Sequence, residues 1–181
     1  MEEQSKKTKE YTSSGILLEM AKDEYAKERE RANALDNKAS FFITVIVAVA
    51  TIFVPIIPFG KLVSLYRKGG CTQKCITSVL LVLIVVAVGY LIKAFIKLYD
   101  AYKLTDYMRP SLECISAEGN HTAPNDELNK GLCDHYKTVV DDNITVNGKK
   151  CNSIAEGIKA CGIGLLLLII STVGLIITIG G

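Results

Sequence analysis

Residues 28–59, "ERERANALDNKASFFITVIVAVATIFVPIIPF", pass from dense charge to none without a Pro or Gly between the halves. From Phe41 to Phe59 the only polar side chains are Thr44 and Thr51. At about 1.5 Å per residue that run is long enough to cross a hydrocarbon core of roughly 30 Å. Two more uncharged runs follow, "CITSVLLVLIVVAVGYLI" from Cys75 and "GIGLLLLIISTVGLIITIGG" from Gly162. A small water-soluble core is built from amphipathic elements, not from three uniformly apolar ones. The sequence therefore predicts an all-α integral membrane protein with three transmembrane helices.

The charged half belongs to the same helix. Leu18, Ala21, Tyr25, Ala32, Leu35 and Ala39 follow a heptad spacing, with Glu28 as the one discordant position. The phase continues through Phe42, Ile46, Val49 and Phe53, so one helix is expected from about Ser14 to Val54, ended or kinked by Pro55 and Pro58. The seam reads as a contact between copies in a homo-oligomer.

The other spans also continue as helices. Lys93, Lys97, Asp100 and Lys103 line one side beyond the second span. Leu128, Leu132, Tyr136, Val139, Ile154 and Ile158 keep one phase before the third. Polar Asn143, Asn147 and Lys150 occupy that same phase, where they either bond inside a bundle and fix its register or stay solvated. Gly148 weakens this helix without forbidding it.

The expected layout is a disordered tail (1–13), a cytoplasmic helix (14–39), a span (40–59), a short loop (60–74), a span (75–92), a cytoplasmic helical region (93–161) and a third span (162–181). The extensions would form a cytoplasmic bundle, with the amino terminus inside and the first span acting as an uncleaved signal anchor. Lys61, Arg67, Lys68 and Lys74 in the short loop run against that orientation under the positive-inside rule. The sequons at Asn120 and Asn143 lie on the side read as cytoplasmic and are ascribed to chance.

With 21 basic and 19 acidic residues, the chain carries no basic field for nucleic acid. No metalloprotease, dinucleotide, nucleophile-elbow or Walker motif is present, and the spans hold no charge of the kind transporters use. No catalytic residue, metal ligand or cofactor is expected. Cys71 and Cys75 lack nearby zinc partners, and would pair only in an oxidising compartment.

Ser40, Thr44, Ala48 and Thr51 share one face of the first span, opposite Phe42, Ile46 and Val49. Such a stripe either lines a water-filled path between copies or lets two helices approach closely. Ser171, Thr172, Gly174 and Thr178 form a weaker version on the third span. Asp36 and Lys38, at the mouth of the first span, read as snorkelling interface residues or as a vestibule ring above a pore.

The stretch "ERANALDNKASFFITVIVAVATIF", with Asp36, Lys38 and Ala39 leading into the membrane, resembles the same region of Pycsar-type and SLATT-type transmembrane effectors of bacteria. The likeness covers residues 25–108, and the third span departs from that two-span pattern; a three-span effector of the Hailong type fits the outline too. The resemblance implies an anti-phage, abortive-infection effector of the inner membrane that forms a pore or disrupts the bilayer. It also implies, as partner, a nucleotide or oligonucleotide signal made by a nucleotidyltransferase or cyclase. The alternative is a non-conducting, membrane-anchored interaction or sensor subunit.

Overall fold

The computed structural model describes residues 13–57, 59–103, 107–111 and 123–180. The predicted tail up to residue 12, Pro58 and most of the 110–125 loop lie outside these residues. Among the described residues four helices follow in chain order: α1 (Ser14–Ile56), α2 (Phe59–Lys68), α3 (Cys71–Lys103) and α4 (Asn125–Gly180). Among the described residues there is no strand.

α1 runs for 43 residues, as the unbroken phase predicts, and carries Pro55 in its last turn. Its first turn is closed by Leu17 N–H donating to Ser13 O at 3.0 Å. α4 runs for 56 residues, about 84 Å at the α-helical rise. Asp126 and Glu127 occupy its first turn, where negative charge meets the unpaired N–H groups. It passes through Gly148 without interruption. α1, α3 and α4 are each long and apolar enough to cross a membrane.

The segment expected to be a short loop at 60–74 differs from that expectation. It holds all but the first residue of the ten-residue α2, and α3 begins four residues earlier than the predicted second span, at Cys71. Pro58 and the pair Gly69–Gly70 punctuate the sequence as a loop would, yet they bracket a complete amphipathic helix.

The chain divides into two compact units, one of residues 1–34 and 106–148, the other of 35–105 and 149–181. In the first, Leu18, Ala32, Val139 and Val140 are buried, and Tyr25 packs edge-on against Tyr136 with ring centroids 5.8 Å apart. In the second, Ala39 and Ile46 of α1 form a core with Leu91, Ala94, Leu98 and Ala101 of α3 and Ile154, Ala160 and Cys161 of α4.

Small residues set the α3–α4 contact. A Cβ on Gly157 would lie 2.7 Å from Leu98 Cγ, one on Gly164 3.0 Å from Leu91, and one on Gly174 2.8 Å from Leu80. Ascending glycines meet descending leucines, so the two helices are antiparallel. Bare glycine backbone lets them approach closely enough for dispersion contacts, the packing available where no water drives association.

The seam residues Leu18, Ala32 and Ala39 are buried, and Ala21, Tyr25 and Leu35 half-buried, within the single chain. The face expected to join copies is thus covered by the chain's own residues. An apolar face advertises that it needs a partner and is silent about whose it is.

Candidate functional site

Discordant residues on different helices meet in the first unit. Glu28, which breaks the α1 heptad, is 8% exposed. Asn147 Nδ2, on α4, donates to Glu28 Oε2 at 2.8 Å and to its backbone oxygen at 3.0 Å. Arg31 Nη1 donates to the other carboxylate oxygen at 3.2 Å. Each polar group interrupts an apolar face; the Asn147 amide donates to Glu28, while Asn147 Oδ1 is buried with no partner among the described residues. Bonds of this kind, made in a dehydrated setting, lose much more when one partner is removed than they contribute when both are present.

One turn earlier on α4, Asn143 is fully buried and pairs with backbone. Its Nδ2 donates to Met108 O at 3.0 Å, and its Oδ1 accepts from Met108 N–H at 2.8 Å. His135 Nε2 accepts from Ser111 N–H at 3.1 Å, which requires the Nδ1–H tautomer. Residues 107–111 belong to no helix or strand, and side chains of α4 supply hydrogen-bond partners to their backbone.

Tyr107, in the same segment, stacks at a tilt on Tyr25 with centroids 6.2 Å apart. Its hydroxyl is buried with no partner among the described residues. Burial, then the neighbouring Tyr25 and Glu28, push the phenol up to about 12.

In the second unit, Lys150 Nζ donates to Asp36 Oδ1 at 2.8 Å. The lysine side chain is 5% exposed and the aspartate 37%, so one end of the pair is dry and the other wet. Lys38, the other predicted mouth residue, is exposed. On the outer side of the same unit, Lys97 and Glu156 pair at 2.8 Å. That hydrogen bond raises the lysine and lowers the glutamate from their ordinary values.

The two hydroxyl stripes part company. Ser40, Thr44, Ala48 and Thr51 are all exposed. Thr44 Oγ1 donates to Ser40 O at 3.0 Å and Thr51 Oγ1 to Val47 O at 2.7 Å, so both hydroxyls are held by their own helix. On α4, by contrast, Ser171 and Thr172 are buried. Ser171 Oγ donates to Leu167 O and Leu168 O. Thr77 of α3 is buried too, and Thr77 Oγ1 and Thr172 Oγ1 have no partner among the described residues. The opposite face of α1 behaves as its phase predicts: Ile46 is buried, and Phe42 and Val49 pack on the core.

The apolar groove of the second unit, about 300 Å³ and lined by Ile46, Phe53, Val88, Phe95 and Leu168, presents no polar surface. It offers an ion nothing to replace its water. Among the described residues, no group of three or more His, Cys, Asp or Glu is placed to hold a metal, and Cys71 and Cys75 are free and exposed.

The pairing of Glu28 with Asn147 and of Asp36 with Lys150 was not available to sequence reasoning. Glu28, Asn147 and Lys150 each stand out singly as polar in an apolar phase, and Asp36 as a charge at the mouth of the first span; those were the usable signals. No protein-family profile, curated protein or solved structure matches the chain.

Proposed function

We propose that the chain is a multi-pass membrane effector that assembles as a homo-oligomer and conducts ions along the α1 face of Ser40, Thr44, Ala48 and Thr51. One observation carries this reading: those residues are exposed, whereas Ser171, Thr172 and Thr77 of the other two long helices are buried within the chain. The α1 stripe is therefore not spent on packing inside one copy. Of its apolar window 11% is buried, against 39% for α4, so α1 is the helix with most surface left to offer. A path needs several copies, because three spanning helices of one chain cannot enclose a water-filled path between them.

In this reading α1, α3 and α4 cross the inner membrane and the amino terminus is cytoplasmic. The anti-phage role, and a nucleotide signal from a partner enzyme as the trigger, rest on the resemblance around Asp36, Lys38 and Ala39 alone. The Asp36 carboxylate, paired on one side and wet on the other, is the group that would ring the mouth.

The test is ion flux into vesicles holding the purified protein. Thr44→Leu with Thr51→Leu makes the path apolar and narrower, favouring dewetting; flux should fall to background with insertion intact. Val85→Leu, on an exposed face of α3, should leave it unchanged. Equal flux from the Thr variant and the unaltered chain removes the path. A second reading, a non-conducting interaction subunit, is favoured by the use of the heptad seam within the chain. It gains if no variant and no unaltered protein conducts.

A further inference from the structure

We propose that α2 is an interfacial helix that binds anionic phospholipid headgroups, so that the turn between the first two spans selects its lipid neighbours. The proposal rests on the reading that α1 and α3 cross a bilayer. Only Ile57 and Pro58 separate α2 from α1, and Gly69 and Gly70 separate it from α3. A ten-residue helix tied this closely to two spanning helices has no freedom to leave the membrane surface.

Its residues suit that surface. At about 100° per residue, Leu62, Val63 and Tyr66 fall within about 100° of arc, with Lys61 and Ser64 on the opposite side. Leu62 is 4% exposed, fixing the inner edge of the apolar face against the rest of its unit. Val63 and Tyr66, at 55% and 56%, leave the remainder uncovered. Lys61 and Arg67 are exposed. An apolar face of this kind seats in the headgroup–acyl boundary, where a Tyr ring finds both an apolar body and a wet tip.

Charge names the occupant. Lys61, Arg67, Lys68 and Lys74 lie within fourteen residues, and no Asp or Glu occurs between Asp36 and Asp100. No carboxylate in that whole interval is available to neutralise them. The compensating anions are then supplied by the bilayer, as phosphate-bearing lipids with net negative charge. A zwitterionic surface would fit the apolar face equally well and leave the cations unmatched. The same cations that sit awkwardly with the positive-inside rule acquire a role here on whichever leaflet they face.

The chain contains no Trp, so Tyr66→Trp gives a single reporter on the uncovered part of the apolar face. The full-length variant is placed in vesicles of phosphatidylcholine and phosphatidylglycerol, with bromine carried on one lipid or the other at equal mole fraction. Brominated phosphatidylglycerol should quench more strongly, with an apparent preference on the order of fivefold at low salt. The preference should fall towards unity in high salt, and in Lys61→Gln/Arg67→Gln/Lys68→Gln. Equal quenching by both lipids overturns the proposal, as does a preference that survives neutralisation. Emission like that of water with no quenching by either lipid also overturns it, because α2 would then stand off the surface. Protein that fails to float with vesicles overturns the spanning reading and this proposal with it; protein that floats and shows no preference overturns this proposal alone.

Discussion

Asp36→Leu should be the most damaging single change to the polar pairs of the second unit, and Lys150→Met much milder. The reasoning starts from the asymmetry of the pair: Lys150 is 5% exposed and Asp36 37%. Removing the carboxylate strands an ammonium that water cannot reach. Breaking a fully buried pair costs about 3–5 kcal/mol. The wet end at Asp36 screens part of the interaction, which brings the expected loss to about 2–3 kcal/mol. Removing the lysine instead leaves a carboxylate already a third in water, and methionine refills the volume, so the loss should be below about 1 kcal/mol. The double variant Asp36→Leu/Lys150→Met should sit within about 1 kcal/mol of the unaltered protein, since an apolar pair of similar volume replaces a buried ion pair at little cost. Detergent-solubilised protein titrated with a denaturing detergent, followed by circular dichroism, gives all four corners of the cycle. Additive single losses, or a lysine variant worse than the aspartate variant, would refute the argument.

Gly157→Ala should destabilise by about 1–3 kcal/mol, because its Cβ would fall 2.7 Å from Leu98 Cγ, while Gly89→Ala, with nothing within 4 Å, should be neutral or slightly stabilising in the same titration. Tyr107→Phe should cost less than about 1 kcal/mol at neutral pH, since the hydroxyl it removes has no partner among the described residues. The raised phenol gives its pH signature. The folded state keeps a proton that the unfolded chain releases near pH 10, so the contribution is intact below pH 10 and lost as pH rises towards about 12. The unaltered protein should therefore lose stability more steeply than Tyr107→Phe across that window, and parallel curves would count against the burial of this group. A reporter fused after Gly181 and one inserted after Pro124 should lie on opposite sides of the membrane; finding both on one side removes the third span.

The three long helices were legible because uncharged runs of spanning length have few other uses, and because the phase of apolar residues carried on beyond them. α2 was not, since ten residues between Pro58 and Gly69 carry too few turns for periodicity to outweigh the punctuation. At Glu28, Asn143 and Asn147 the sequence showed polar residues in apolar phase. Which of them meet depends on the register of α1 against α4, and no local pattern records that register. The heptad seam has the same property: Leu18 and Ala39 are legible as packing residues, and their burial within the single chain is not, because apolar phase does not record which surface covers it. The α1 stripe was legible as a face, and its exposure separates it from the α4 stripe that looked similar on paper.

The claim that Ser40, Thr44, Ala48 and Thr51 face other copies around water is tested most directly by thiol chemistry in native membranes. In a chain freed of its own cysteines, Thr44→Cys and Thr51→Cys should react with a charged, membrane-impermeant thiol reagent and form disulfides between copies. Val85→Cys, 71% exposed in the single chain, should do neither, as expected of a position facing lipid. Thr44→Cys and Thr51→Cys that react no faster than Val85→Cys, and that yield no crosslinked product, would contradict both the path and the assembly.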